Sequence, residues 1–299
     1  MEHNLENILT CQACGNESQK KHVEGADHNV SGDTFTIVEC LICGFRFTNP
    51  RPREESIYKY YQSKNYISHS STNRGLINKL YHFIRLYQFN KKRKIIENST
   101  NFKKGRLLDI GCGTGDFLKH MGSFNWEVDG IETDEGARKI AEKKLGKKIK
   151  DKIDLIKERK YDVVTMWHVL EHVYDVNECL KAMNKLLKKG GLLIVAVPNC
   201  ESYDAQKYKE KWVAYDLPIH LSHFRKKDIK EFAKKNNFKL RNVKPLVFDA
   251  YYISMLSEKK SGSSSLLGLI HGLVSNLKAK KTGEYSSLMY FLFKQGLKP

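Results

Sequence analysis

The sequence has 299 residues, 40% of them apolar, which is enough for one large domain with a sizeable core and a small appendage. Its net charge of +18 fits RNA, an anionic membrane surface, phosphorylated substrates or plain solubility, and the basic residues are spread along the chain without an arginine-rich tail. No apolar stretch approaches the roughly 20 residues of a membrane span, which excludes an integral membrane protein. The first residues, MEHNLENILT, lack a secretory pattern. We therefore expect a cytoplasmic protein with reduced cysteines that favour metal binding over disulfides.

Two copies of one element, CQACG at 11–15 and CLICG at 40–44, hold four of the seven cysteines. Each C-x2-C pair can bind one ion through both sulfurs, and two pairs supply the four thiolates that tetrahedral zinc accepts. The alternating stretch TFTIVEC leads into the second pair, as in the hairpin of a zinc ribbon. We predict that residues 1–49 form such a ribbon, with disulfides or free thiols as the alternative. The predicted ligands of a structural zinc ion are Cys11, Cys14, Cys40 and Cys43.

A break at Asn49, Pro50 and Pro52 separates this segment from the next one. Residues 50–104 begin with the aromatic stretch YKYYQSKNY, and a helix is predicted over 76–97. We expect this segment to be a helical linker.

Apolar runs of strand length alternate with helix-like stretches from Gly105 onward. The runs are RLLDIG, WEVDGIE, YDVVTMW, GLLIVAVP and FKLRNVK, and the helices are predicted at 116–122, 136–145, 175–189 and 226–236. Strands that alternate with helices indicate right-handed crossovers and a parallel, doubly wound α/β sheet.

The glycine-rich stretch DIGCGTGD directly follows the first of these strands. Glycines let a backbone approach a ligand closely, but the spacing here is G-x-G-x-G and not the G-x-G-x-x-G of dinucleotide sites. Asp109, just before it, would repel a pyrophosphate and attract an amino group. Glu132 ends the second strand, where an acid can accept hydrogen bonds from both hydroxyls of a ribose. These residues predict a ligand with a ribose and an ammonium group and without phosphate.

The stretches LLDIGCGTGDFL, GIE, YDVVTMWHVLEHV and LLKKGGLLIVAVPN resemble, in this order, the motifs of class I S-adenosylmethionine (SAM)-dependent methyltransferases. The resemblance covers about 105–245 and implies a seven-stranded Rossmann-like sheet for the domain 105–299, with 50–104 as a cap over the cofactor. The family often has an acid after the third strand that binds the adenine amine. Here the segment KKIKDKIDLIKERK is ambiguous, with Asp151 as a candidate. The cofactor-binding residues that the resemblance implies are Asp109, Gly111, Gly113, Gly115, Glu132, Met166, Trp167 and His168.

Two histidine-containing stretches are candidates for chemistry. In WHVLEHV, His168 and Glu171 either shape the cofactor site or take part in catalysis. In DLPIHLSHF, His220 and His223 are predicted as catalytic, since a histidine near neutral pKa is a natural base; holding a loop by hydrogen bonds is the alternative. This second stretch resembles the zinc-ribbon sugar C-methyltransferases of deoxysugar pathways, which implies His220 as the catalytic histidine. That family has an acid directly before the histidine, whereas Ile219 stands here.

An insertion separates the last two predicted strands, FKLRNVKPLVF and YSSLMYFLFK. The stretch LLGLIHGLVSNL has helical spacing and an apolar face, so we expect a helical insertion near 250–282, with SGSSS at 261–265 as a loop. Such an insertion would cover the acceptor pocket, pair with another chain, or make peripheral contact with a membrane beside KAKK.

Three functions follow from these patterns. The first is SAM-dependent methyl transfer to a small-molecule, sugar or lipid-linked acceptor in surface polysaccharide or glycolipid biosynthesis, with zinc as a structural ion. The second is a zinc-ribbon RNA methyltransferase, which the net charge favours, although the ribbon hairpin is neither especially basic nor aromatic. The third, a binding module without activity, is disfavoured by the intact set of Asp109, the glycines and Glu132. The acceptor, the methylated atom and the oligomeric state stay open.

Overall fold

The computed structural model describes residues 4–61, 76–101, 104–155 and 160–296, without the side chains of residues 76–84 and 154. The chain forms two compact units. The first comprises Met1–Ile67, His168–Lys181 and Val195–Leu292, and the second comprises Ser68–Trp167, Ala182–Ile194 and Phe293–Pro299. The predicted segments 1–49, 50–104 and 105–299 stay predictions, since these units divide the chain at other points.

The described ranges contain twelve strands and eight α-helices. The strands are β1 (Leu5–Glu6), β2 (Gln19–Ala26), β3 (Thr34–Cys40), β4 (Arg46–Thr48), β5 (Arg51–Pro52), β6 (Arg106–Ile110), β7 (Glu127–Ile131), β8 (Tyr161–Trp167), β9 (Leu187–Pro198), β10 (Ser222–His223), β11 (Phe238–Pro245) and β12 (Ser287–Lys294). The helices are α1 (Leu76–Ser99), α2 (Asp116–Gly122), α3 (Glu135–Leu145), α4 (Val176–Leu186), α5 (Tyr203–Tyr208), α6 (Lys226–Lys235), α7 (Val247–Lys260) and α8 (Ser265–Thr282). Short 3-10 helices lie at Ile57–Tyr61, Ile153–Leu155, Leu170–His172, Lys209–Lys211 and Val213–Tyr215.

The larger sheet has the strand order β11-β12-β9-β8-β6-β7 among the described residues. Strand β6 runs parallel to β7 and β8, and its Asp109 lies opposite Gly130 on one side and Thr165 on the other. The residues of β8 and of the second half of β9 are buried almost without interruption, as strands covered on both faces require. The predicted α/β architecture with a mostly parallel sheet is confirmed.

The described residues form six of the seven predicted strands of this sheet. Beyond β7, the structure has a single parallel bridge between Ile131 and Lys150. In the sequence after β7, 147–160, apolar residues stand singly or in one pair among lysines and acids, so it has no apolar run long enough to be buried on both faces. Part of it, 156–159, lies outside the described residues.

The smaller sheet belongs to the first unit and has the order β10-β4-β3-β2. Strands β2 and β3 form an antiparallel hairpin in which Gln19 lies opposite Cys40. Alternation in β3 directs Phe35 and Ile37 into a buried cluster with Trp212 and Tyr215. Strand β4 pairs with β3 on one side and with β10 on the other, so the hairpin is joined through β4 to the segment that contains His220 and His223.

The predicted helical insertion near 250–282 consists of two helices, α7 and α8, joined by residues 261–264 of the SGSSS stretch. The two helices pack closely because glycines of α8 face the backbone of α7. A Cβ at Gly272 would lie only 2.7 Å from Cα of Tyr251, which is closer than real Cβ contacts come. Along α8, Leu266, Ile270 and Leu273 remain about half or more exposed.

Every helix in the described ranges is too short or too polar to cross a membrane.

The predicted helix 175–189 ends earlier, at Leu186, and Leu187–Lys189 instead begin β9 ahead of Gly190, whose φ is 73°.

Candidate functional site

The turn between β6 and α2 needs its glycines for different reasons. Gly111, Gly113 and Gly115 have φ values of 68°, 54° and 75°, in the left-handed region that glycine adopts at little cost. A Cβ at Gly115 would lie 3.0 Å from Cβ of Ala141 in α3, so this glycine allows helix packing. A Cβ at Gly113 would meet nothing within 4 Å, so the backbone here borders open space that a ligand can fill.

The side chain of Glu132 reaches this turn from the end of β7. Its Oε2 accepts a hydrogen bond from the Gly113 amide (2.7 Å), and its Oε1 accepts one from the Asp134 amide (2.9 Å). The structure therefore brings together the acid and the glycine turn that the sequence predicted as parts of one site.

Asp109 is buried beneath the turn, with an exposed fraction of 2%. It accepts a hydrogen bond from the Thr165 hydroxyl of β8 (2.6 Å). Burial raises the pKa of Asp109 to about 7, although the Thr165 hydrogen bond and the charge of Lys92 act in the opposite direction. A carboxyl with this pKa changes its charge near neutral pH.

The far end of β8 contains Met166, which is fully buried, and Trp167. The Trp167 ring packs edge-on against Phe117 of α2, with ring centroids 5.7 Å apart. Nζ of Lys92 in α1 lies 3.9 Å from the centroid of the Trp167 ring, a cation–π contact. Nothing in the sequence pattern singled out Lys92; the helix prediction for 76–97 was the only signal that could have placed it.

His168, whose side chain is 39% exposed, follows Trp167 and borders the buried Glu171 and His220 in the first unit. Its Nδ1 lies 3.4 Å from Oε1 of Glu171, and its Nε2 lies 3.1 Å from Oδ2 of Asp249. Burial alone would lower the pKa of His168, but the two carboxylates raise it to about 10, so the imidazole is charged at neutral pH. Asp249 comes from α7, 81 positions further along the chain, and no spacing rule could have found it.

Glu171, His172 and His220 lie together in one cluster. One carboxylate oxygen and one ring nitrogen of each histidine are all within 4.8 Å of one another. The rings of His172 and His220 meet edge to face, with centroids 4.6 Å apart. Burial lowers the pKa of His220 and brings that of His172 to about 4, so both imidazoles are neutral. An acid, Glu171, thus lies close to His220 in space, whereas Ile219 directly precedes it in the sequence.

Backbone carbonyls set the tautomers of these two histidines. Nδ1 of His220 lies 2.9 Å from the carbonyl oxygen of Ala214, and Nδ1 of His172 lies 3.1 Å from that of Ile219. A carbonyl oxygen can only accept, so Nδ1 of His220 carries the proton and its Nε2 carries the lone pair. Nδ1 of His172 also lies 3.1 Å from the Tyr61 hydroxyl, which accepts when this ring has the same tautomer. His220 therefore has the nitrogen lone pair that its predicted use as a base requires.

His223 has different surroundings. Its Nε2 lies 3.1 Å from the hydroxyl oxygen of Thr48, and the same hydroxyl donates to the carbonyl oxygen of His220 (2.7 Å). Burial holds the pKa of His223 well below its usual range. These contacts favour a structural part for His223, which joins β10 to β4, and they do not support its prediction as a catalytic residue.

The four cysteines of the two C-x2-C elements lie in one cluster. Sγ of Cys11 is 3.6 Å from Sγ of Cys43, and Sγ of Cys14 is 3.6 Å from Sγ of Cys40. Four sulfurs about 2.3 Å from a central ion lie about 3.8 Å apart in a tetrahedron, so these distances fit zinc. The glycine after each pair has positive φ, as the predicted knuckles require.

Comparison with known proteins shows the family to which the chain belongs. The model of the methyltransferase-domain family matches residues 82–243, more than half of the chain. The ubiquinone biosynthesis O-methyltransferase of Pelagibacter ubique (strain HTCC1062) is 31% identical over 173 residues, which cover 53% of this chain and 72% of that protein. The demethylmenaquinone methyltransferase of Staphylococcus carnosus (strain TM300) is 30% identical over 157 residues, which cover 48% and 61%.

Among solved structures, magnesium protoporphyrin IX methyltransferase from Synechocystis PCC 6803 with bound SAH has a similar fold. The TM-score is 0.53 at 13% identity, and the match covers 81% of this chain and 100% of that one. At this identity the likeness concerns the fold alone.

Proposed function

As a member of the methyltransferase-domain family, the chain is a SAM-dependent methyltransferase, and we propose that its acceptor is a small molecule whose reacting atom must lose a proton. The observation that carries the proposal is the buried cluster in which Glu171 lies beside the neutral His220. The cofactor, when bound, supplies an electrophilic methyl group, so the protein must bind, orient and activate. The lone pair of a buried, neutral imidazole can accept a proton, so the cluster favours an acceptor that must lose one.

For the cofactor, we propose the residues predicted from the sequence. The open space at Gly113 supports a ligand over the glycine turn, and Glu132 on the same turn supports the ribose. Asp109 would hold the ammonium group, directly or through water. Met166 and Trp167 would continue this site. The two carboxylate partners of His168 favour a place for it beside Glu171, His172 and His220, which we propose to act on the acceptor and call the acceptor cluster.

For the four cysteines, we propose a structural zinc ion. The sulfur distances fit it, and four thiolates leave no open position for a substrate. The ribbon would then support the acceptor cluster, since the Thr48 amide donates to the carbonyl oxygen of Leu221 (3.0 Å), next to His220.

The acceptor class follows from weaker observations. The names of the relatives favour small molecules of quinone biosynthesis. The resemblance of 216–224 to sugar C-methyltransferases favours a sugar, and the exposed leucines of α8 favour a lipid-linked acceptor or peripheral membrane contact. For RNA, the remaining alternative, the net charge of +18 is the supporting observation. The predicted cytoplasmic location stays a prediction.

The test uses SAM with a radioactive methyl group and four acceptor pools: hydroxylated quinone precursors, nucleotide-linked deoxysugars, lipid-linked glycans and total RNA. We expect label in one of the first three pools and no turnover in His220→Asn, with unchanged binding of S-adenosylhomocysteine. The matched control is His28→Asn, which changes an exposed histidine of the ribbon hairpin and should keep full activity. Label in RNA alone, or normal turnover by His220→Asn, would overturn the proposal.

A further inference from the structure

We propose that Glu171, His172 and His220 bind a divalent transition-metal ion through one carboxylate oxygen and two imidazole nitrogens, at a site distinct from the four cysteines. The use of this ion rests on the proposed function, whereas its binding is an independent property of the cluster.

The carboxylate of Glu171 is the first reason. It is 1% exposed, and neither of its oxygens accepts a hydrogen bond from the described part of the chain. Asp204, also 1% exposed, shows what a buried carboxylate ordinarily needs: it accepts hydrogen bonds from Trp212, Ser275 and Ser286. Burying a charged group without such partners is costly, so we expect a cation next to the Glu171 oxygens.

His168 provides only part of that positive charge. Its Nδ1 is 3.4 Å from Glu171 Oε1, and its Nε2 is closer, at 3.1 Å, to Asp249. One imidazolium thus lies between two carboxylates, which leaves the cluster with a net negative charge. A divalent ion would compensate this charge and occupy the oxygens that lack hydrogen-bond donors.

The two histidines are oriented as metal-binding histidines are. Such residues donate one ring N–H to a carbonyl or carboxylate, which fixes the ring and directs the other nitrogen to the metal. Here His220 donates from Nδ1 to the Ala214 carbonyl, and His172 donates from Nδ1 to the Ile219 carbonyl, with the Tyr61 hydroxyl as a second acceptor 3.1 Å from the same nitrogen. Each Nε2 therefore carries a lone pair on a ring whose orientation is fixed.

The backbone also holds the ligands in register. The Leu221 amide donates to the carbonyl oxygen of Glu171 (2.8 Å), and the His220 amide donates to that of Asp216 (3.0 Å). The segment with Glu171 and His172 is thus tied directly to the segment with His220. A site built on such fixed backbone keeps its shape before the ion arrives.

The donor set indicates which ions fit. Ligands on opposite sides of an ion, each about 2.1 Å from it, are about 4.2 Å apart, so donors within 4.8 Å need only small shifts. Two imidazoles and one carboxylate suit Mn²⁺, Fe²⁺, Co²⁺ or Zn²⁺ and leave coordination positions open. An acceptor hydroxyl that takes an open position would lose its proton to solvent more easily, because the ion lowers its pKa. His220 would then serve the same loss of a proton from the acceptor by holding the ion, and not by taking the proton itself.

The experiment counts metal ions. Protein is equilibrated with excess Mn²⁺, desalted, and analysed for all divalent transition metals by plasma mass spectrometry. We expect the wild type to hold one ion more per chain than the Glu171→Gln, His220→Asn double variant, whatever the cysteines hold. The control pair Glu178→Gln, His28→Asn changes exposed residues and should match the wild type. Equal metal content in wild type and double variant would overturn the proposal.

Two further readouts separate this proposal from the proposed function. Binding of S-adenosylhomocysteine to the double variant, measured by calorimetry, should equal that of the wild type, which also shows that the variant is folded. A metal difference of one ion without methylation of any acceptor pool would support the metal site and contradict the proposed function. Methylation of an acceptor by a wild type that holds no more metal than the double variant would support the proposed function and contradict the metal site.

Discussion

Cofactor binding should weaken as the pH falls below 7, because the ammonium group of the cofactor requires Asp109 in its ionised form. Burial raises the pKa of Asp109 to about 7 in the free protein, so this carboxyl is mostly protonated at lower pH. A bound cation favours the charged carboxylate. The affinity is therefore fully present above the pKa of Asp109 and is lost as the pH falls through it.

The size of the effect follows from the ionised fraction. Well below the pKa this fraction falls about tenfold for each pH unit, and the Kd for S-adenosylhomocysteine should rise by about the same factor. The titration belongs at or below about pH 7, because an α-amino group loses its own proton near pH 8. Without the raised pKa, Asp109 would titrate near its usual value of 3.8, and the affinity would stay constant over this range.

The assay is calorimetric titration of S-adenosylhomocysteine at several pH values. Asp109→Asn should bind more weakly at pH 7 and lose the pH dependence, since an amide does not titrate. Asp175→Asn is the control: its side chain accepts from the Glu178 amide at the start of α4, and asparagine caps a helix equally well. A wild-type affinity that does not change with pH, or a pH dependence that persists in Asp109→Asn, would refute the reasoning.

Three further predictions concern other parts of the molecule. Lys92→Gln should shift the pH dependence of cofactor binding to higher pH, because the charge of Lys92 lowers the pKa of Asp109; an unchanged calorimetric profile would contradict this. Gly272→Ala should destabilise the protein by about 1–3 kcal/mol in urea unfolding through a clash with the α7 backbone, whereas the exposed Leu273→Ala should have little effect. Cys14→Ser should speed hydrogen exchange of the Thr48 amide, which donates to Leu221, but not that of amides in β6. An unchanged exchange rate at Thr48 would contradict the proposal that the ribbon supports the acceptor cluster.

Local patterns predicted that the glycine turn and Glu132 lie together. The spacing of Gly111, Gly113 and Gly115 reflects backbone angles that few other residues adopt, and Glu132 follows at the end of the next strand. The two C-x2-C elements likewise predicted that their four sulfurs lie together. In each case the residues are close together in the sequence or belong to neighbouring strands and the turns that follow them.

The acceptor cluster was harder to predict because its members come from distant segments. Glu171 lies beside His220 through a backbone hydrogen bond between their segments, and Asp249 reaches His168 from a helix of the insertion. The family pattern places the acid directly before the histidine, but the residue before His220 is Ile219, so nothing in the sequence indicated Glu171 as its neighbour. The seventh strand was expected from the family, but the described residues of the lysine-rich segment after β7 form a single bridge, at Lys150.

The central claim, a SAM site on the glycine turn with Glu132 as its ribose partner, is tested most directly by titrating S-adenosylhomocysteine into Glu132→Ala. Hydrogen bonds to a charged group contribute about 1.5–3 kcal/mol each, so the Kd should rise at least about tenfold. The control Glu178→Ala changes an exposed glutamate and should bind as the wild type does. Equal affinity of Glu132→Ala and wild type, with an unchanged melting temperature, would contradict the assignment of the site.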